Sequence, residues 1–196
     1  MQTTYDRTPN RIRFTRTQRE TMRDAGVLDG RYELIDGEII SKMGRNPPHS
    51  VTVIALCAWL ISVFGALYVR SQTTIDVGDT DPEHNDPEPD VAVTIAPNSA
   101  FADHHPGSAE LVLVAEVSDS TLRFDRTTKA AVYALIGIRE YWIVDIAGRQ
   151  VWVHREPQPE RYAEVTAYSA NERIATLTRP VDAVRVADLL PPSVAE

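Results

Sequence analysis

LVLVAEVSDS, residues 111–120, holds an apolar run from Leu111 to Ala115 that resumes at Val117, with Glu116 inside it. A run that is apolar on both alternating faces reads as a strand covered on both sides of a sheet. A carboxylate is almost never buried without a partner, so Glu116 needs one. The plain structural partner is Arg123 or Arg126 on the segment that follows.

Working outward, DVAVTI (90–95) and LYVRSQTTIDV (67–77) read as two strands ahead of this one. After it come a helix over about 121–136, stopped by Gly137, the strand EYWIVDI (140–146), its hairpin partner QVWVHR (150–155), and a further strand RYAEVTAY (161–168). VADLLP closes the pattern as a short element. Upstream, TRTQRETMRDAG (15–26) is expected as a helix with Thr15 at the N-cap and Gln18 completing a capping box. RYELIDGEIISKM is a hairpin over 32–43 turning at Asp36-Gly37. Pro47 and Pro48 open a helix over about 49–64, amphipathic to fully buried, in which Cys57 reads as a small core residue. The fold class is therefore α/β with a mixed sheet. Its first three strands form an antiparallel meander, and the helix crossing between the third and fourth makes that pair parallel.

The 196 residues, 43% hydrophobic, suit one domain spanning 1–196, with residues 1–11 expected as a flexible end. The most apolar stretch, 51–69, is interrupted by Thr52, Ser62 and Gly65, and the polar start MQTTYDRTPNRIRF has no secretory apolar core, so a cytoplasmic protein without a membrane segment is expected. A single cysteine excludes an internal disulfide and a cysteine-based zinc cage. A net charge of −8 argues against a protein that coats nucleic acid non-specifically, without excluding a local basic patch. Six arginines fall within residues 1–23, whereas 76–90 carries seven acids and reads as a solvated loop.

If the strands starting at 90 and 111 are antiparallel neighbours, Asp90 at the start of one lies beside Glu116 near the end of the other. Two adjacent carboxylates repel unless one is protonated or a cation lies between them. Oxygen ligands on rigid strands with room for water suit Mg²⁺ or Mn²⁺. Taken alone, Asp90 after Pro89 also fits a turn or cap. Only Lys42 and Lys129 among the 20 basic residues are lysines. An arginine-biased chain that keeps a lysine on the helix after Glu116 invites a chemical role for Lys129, orienting or deprotonating a water or stabilising developing charge. The plain alternative is an i,i+4 ion pair with Asp125 on a solvated helix face.

PD at the start of the second strand (Pro89-Asp90), an acid near the end of the third (Glu116), then helix and strand resemble the restriction-endonuclease-like PD-(D/E)xK superfamily. More closely, RYELIDGEI, PEPDVAV, VLVAEVSDST, DRTTKAAVYALIGIREYWIVD and His49 after a proline-containing loop are similar to the Uma2 family, also described as a domain of unknown function, over about residues 12–190. The resemblance implies a restriction-endonuclease-like core and a metal-dependent endonuclease. Asp90 and Glu116 would hold Mg²⁺ or Mn²⁺, Lys129 would act beside them, and Glu33, Glu38 or His49 would complete the site. The chain departs from the superfamily at Ser118, where lysine is expected; the resemblance implies that Lys129 takes over. It also carries Asp119 where the family usually has proline.

The expected partner is nucleic acid, with DNA first. A non-catalytic DNA- or protein-binding module on the same scaffold is the main alternative, and an enzyme of small phosphorylated substrates is a third. Trp142, Trp152 and Val153 could serve a homodimer interface, although a core role explains them equally well.

Overall fold

The computed structural model describes residues 12–42 and 46–192, so the expected flexible end at 1–11 and the last hairpin position, Met43, lie outside the described residues. Helix α1 (Arg16–Asp24) starts as its sequence dictates: Thr15 N–H donates to Gln18 Oε1 at 2.8 Å and Gln18 N–H returns to Thr15 Oγ1 at 3.2 Å. Strands β1 (Tyr32–Ile35) and β2 (Glu38–Ser41) form the hairpin around Asp36-Gly37. Helix α2 (Pro47–Phe64) begins two residues earlier than expected, because Asn46 caps it by accepting from His49 N–H at 3.0 Å.

Six strands make the main sheet, in the order β3 (Val69–Ser71), β4 (Val91–Thr94), β5 (Leu111–Ser118), β6 (Glu140–Asp145), β7 (Gln150–Gln158) and β8 (Arg161–Ser169). β3–β4–β5 is the antiparallel meander and β5–β6 the parallel pair. The crossover consists of a short turn α3 (Leu122–Phe124), a π-helical turn (Asp125–Lys129) and α4 (Ala130–Leu135) rather than one regular helix. A small pair, β9 (Arg173–Ile174) with β10 (Val184–Arg185), and helix α5 (Val186–Leu189) end the described chain.

The alternation of strand side chains sorts the core into two layers. One face of the sheet, with Val93, Leu113, Ala115, Trp142 and Val144, packs against Val53, Leu56 and Leu60 of α2 and against α5. The other, with Ala92, Val114, Tyr141 and Ile143, packs against Ala130, Tyr133 and Ala134. By the same alternation Asp90 and Glu116 belong to the second face, under α4.

Three expectations change. The strand expected over 67–77 is ordered into the sheet only at Val69–Ser71, since Gln72 takes a φ of 55° and the chain turns off. Helix α2 is not fully buried: Val51, Ile54 and Ile61 are exposed on its outer side and Cys57 is half-buried. With a mean hydropathy of 1.6 over its 18 residues it is long and apolar enough to cross a membrane, although its inner side packs on the sheet. Trp142 and Val153 are buried, in keeping with the core role weighed for them, and Trp152 lies under the Arg126 guanidinium.

The acidic run is also not simply solvated. Arg19 lies 2.6 Å and Arg16 3.4 Å from the buried Asp86, while Arg13 and Arg31 pair with Asp81 and Glu88. Arg13, Arg16, Arg19 and Arg31 thus fasten α1, its approach and the hairpin to the acidic loop that leads into β4. Removing one partner of a buried pair leaves the other charge stranded. Arg19→Ala is accordingly expected to lower stability by about 1–3 kcal/mol in urea unfolding; an unchanged midpoint would show that Arg16 alone suffices.

Candidate active site

Antiparallel pairing of β4 with β5 sets Val91 opposite Ala115, which brings the preceding Asp90 beside Glu116. The two acids line a cleft of about 140 Å³ together with Glu33, Lys42, His49 and Lys129. Each comes from a different element. Glu33 is supplied by β1, Lys42 by the end of the hairpin, His49 by the first turn of α2, and Lys129 by the π-helical turn that lies over the Glu116 face.

Lys129 is buried and bridges two carboxylates, with Nζ 2.7 Å from both Glu116 Oε1 and Glu33 Oε1. Tyr133, one turn on, donates its hydroxyl to the same Glu116 oxygen at 2.8 Å. The ion pair considered between Lys129 and Asp125 on a solvated face is therefore not the arrangement, and Arg123 and Arg126 do not partner Glu116. Asp125 is itself buried and accepts from Thr121 at 2.5 Å. Ser118, two residues after Glu116 on the same strand face, meets Thr121 at 3.4 Å, so the ammonium above this face comes from the helix rather than the strand.

Asp90 Oδ2 accepts from Val117 N–H at 2.9 Å, and His49 Nε2 stands 3.3 Å from it. His49 is set by its helix cap, since Asn46 accepts from His49 N–H while donating its own amide to Asp119. Asp119 thereby ties the end of β5 to the start of α2. Glu33 completes its bonding by accepting from Glu88 N–H at 3.2 Å. Glu38, opposite Ile35 beside the hairpin turn, does not line the cleft, which separates it from Glu33 and His49.

Sequence reasoning missed Lys42. Its Nζ lies 3.9 Å from Glu33 Oε1, 3.8 Å from Asp90 Oδ1 and 3.9 Å from Glu116 Oε2, and it donates to Glu88 O at 2.7 Å. Both lysines of an arginine-biased chain thus converge on one carboxylate cluster. The scarcity that singled out Lys129 applied equally to Lys42.

The cluster pushes its acids apart. Burial works against the Asp90 charge, but His49, Lys42 and the Val117 N–H outweigh it and hold the carboxyl down at about 2. Burial dominates at Glu116, aided by the charges of Asp90 and Glu33, and pushes it up to about 7 against the pull of Lys129 and Lys42. For Lys129, burial opposes the charge, yet Glu116, Glu33 and Asp125 more than reverse that effect and raise its pKa. Lys129 is therefore an ammonium, a hydrogen-bond donor and fixed positive charge rather than a base. Two carboxyls lining one cleft are thus driven in opposite directions.

The donor set is compatible with a divalent cation. Asp90 Oδ1 and Glu116 Oε2 accept no hydrogen bond among the described residues, and Mg²⁺ is commonly held by one or two carboxylates and waters. No three His, Cys, Asp or Glu side chains among the described residues are gathered closely enough to form a ready cage. Lys42 fronts the two open oxygens.

Fold and site together define a restriction-endonuclease-like protein. A solved structure from Anabaena variabilis ATCC 29413, titled a "putative nuclease belonging to DUF820", is similar with a TM-score of 0.63 at 18% identity, over 86% of this chain and 96% of that one. The family model of Uma2, described as "Putative restriction endonuclease", matches residues 27–185. The chain belongs to the Uma2 family. No curated protein matches it.

Proposed function

We propose that this nuclease-like protein is a metal-dependent endonuclease that hydrolyses phosphodiester bonds of nucleic acid, with DNA as the first substrate to test. The observation that carries the reading is the pair of carboxylate oxygens, Asp90 Oδ1 and Glu116 Oε2, that accept no hydrogen bond from the described residues, on adjacent strands beneath a buried lysine. Asp90 and Glu116 would hold Mg²⁺ or Mn²⁺, which would supply Lewis-acid stabilisation of the phosphate and an acidified water. Lys129 fixes the Glu116 carboxylate and presents positive charge to the developing phosphorane. Glu33 and Tyr133 hold Lys129 and Glu116 in register. His49 and the Val117 N–H orient Asp90 so that its other oxygen faces the cleft.

The test is conversion of supercoiled plasmid to nicked circles with Mg²⁺ or Mn²⁺, run beside single-stranded DNA and RNA. Asp90→Asn is expected to abolish cleavage by about a thousandfold while keeping the Val117 hydrogen bond and the fold. A folded parent protein that cleaves none of these and binds no divalent cation would overturn the reading. The acidic net charge of −8 favours one alternative, a non-catalytic binding module. That alternative requires Asp90→Asn and Lys129→Met to bind the partner as well as the parent does.

A further inference from the structure

We propose that Lys42 is a built-in occupant of the cation site. Its ammonium holds the carboxylates together until a divalent cation displaces it. The inference rests on the reading of Asp90 and Glu116 as the cation-binding pair.

The two lysines of the cluster are held very differently. Lys129 makes 2.7 Å contacts to Glu33 and Glu116, within hydrogen-bond range. Lys42 is 3.8–3.9 Å from three carboxylates, so it is bonded to none of them and central to all. Its short hydrogen bond goes instead to a backbone carbonyl, Glu88 O, at 2.7 Å. It is also the more accessible of the two, with 11% of its side chain exposed against 3% for Lys129. Lys129 is built in, whereas Lys42 is anchored from outside and stands at the mouth.

The position Lys42 faces is the one a cation would use. Asp90 Oδ1 and Glu116 Oε2 are the oxygens that would hold a Mg²⁺ or Mn²⁺ ion, and the Lys42 ammonium already stands 3.8 and 3.9 Å from them, where like charges repel strongly at low dielectric. The two cations exclude each other. With Glu33, Asp90 and Glu116 all ionised, the two lysines leave one net negative charge, and exchanging Lys42 for a divalent ion leaves none. Lysine suits the part because its ammonium is a compact point charge on a flexible stem, whereas a planar guanidinium would lock onto the carboxylates bidentately. Swinging aside on the Glu88 carbonyl, Lys42 stays beside the cleft, where an incoming phosphate would find it.

The experiment is Mn²⁺ binding to the full chain by titration calorimetry and by electron paramagnetic resonance of free Mn²⁺, neither of which reads activity. Lys42→Met removes the charge and keeps the stem, and is expected to bind Mn²⁺ at least tenfold more tightly than the parent. Lys42→Gln serves in its place if Lys42→Met does not fold, with the same expectation. A parent that binds Mn²⁺ while a folded Lys42 variant binds no more tightly, or more weakly, would overturn the displacement proposal and leave Asp90–Glu116 as the cation site. Folded parent and variant that both fail to bind would remove the cation site and this proposal together.

Discussion

Glu116→Gln is expected to stop cleavage while leaving the protein at least as stable as its parent. The amide can reproduce the local bonding, its carbonyl accepting from Lys129 and Tyr133 as Glu116 Oε1 does at 2.7 and 2.8 Å. What disappears is a buried charge beside Asp90 and Glu33, and with it one of the two open carboxylate oxygens. The pH dependence gives the sign. Glu116 is raised from 4.5 to about 7 in the folded protein, so its contribution to stability is fully present below the unfolded pKa and is lost as pH rises through about 7. The variant lacks that loss. Without divalent cations, its advantage over the parent is expected to grow from near zero at about pH 4.5 to about 1–3 kcal/mol at pH 8 in urea unfolding. Plasmid nicking in the same variant is expected to fall by about a thousandfold. A protein in which Glu116 served only a structural ion pair would behave oppositely, losing stability at every pH above 5; that result would sink the functional reading of this carboxylate.

The parts of the site legible in the sequence are those fixed by local order. Asp90 and Glu116 could be paired because a meander places the start of one strand beside the end of the next, whatever else surrounds them. Lys129 stood out through residue scarcity, and its place on the crossover helix over the same sheet face follows from the chain order. Lys42 carried the same scarcity but depends on where the β1–β2 hairpin docks. That docking is set by long-range contacts such as Arg31–Glu88 and the Leu34–Asp86 bridge, which no spacing reveals. Glu33 and Glu38 could not be separated because both share one hairpin face, opposite Ile40 and Ile35 respectively; only the offset from the turn decides which reaches the cleft. The π-helical turn at Asp125–Lys129 has no helix breaker to announce it, and π-turns recur where function needs a side chain re-aimed. The shortened strand at Val69–Ser71 is a tertiary outcome as well. Past the turn at Gln72, the chain spends its N–H groups on Asp90 O and Pro87 O, outside a regular ladder.

Lys129→Met should have the opposite signature from Glu116→Gln, losing stability and cleavage together. Lys129 is the cation common to Glu33 and Glu116, at 2.7 Å from each, and it is 3% exposed, so water cannot replace it. Methionine fills a similar volume but leaves both carboxylates buried with only the distant Lys42 to answer them. Breaking a buried pair from one side typically costs about 3–5 kcal/mol, and a loss of that size is expected in urea unfolding. The folded pKa of Lys129 is raised, so the ammonium's own contribution is fully present below the unfolded value of about 10.4; the loss is nevertheless expected to grow as pH rises past about 5, because Lys129 pulls down the pKa of Glu116, which charges in that window. Glu33→Gln in the Lys129→Met background removes one stranded charge and is expected to recover at least about 1 kcal/mol, a coupling that a double-mutant cycle isolates. Cleavage should not return with stability, because the recovered protein still lacks the positive charge above Glu116. If Lys129→Met/Glu33→Gln regains both, Lys129 is a structural counter-ion and the phosphate-stabilising charge must come from elsewhere, with Lys42 the first residue to test.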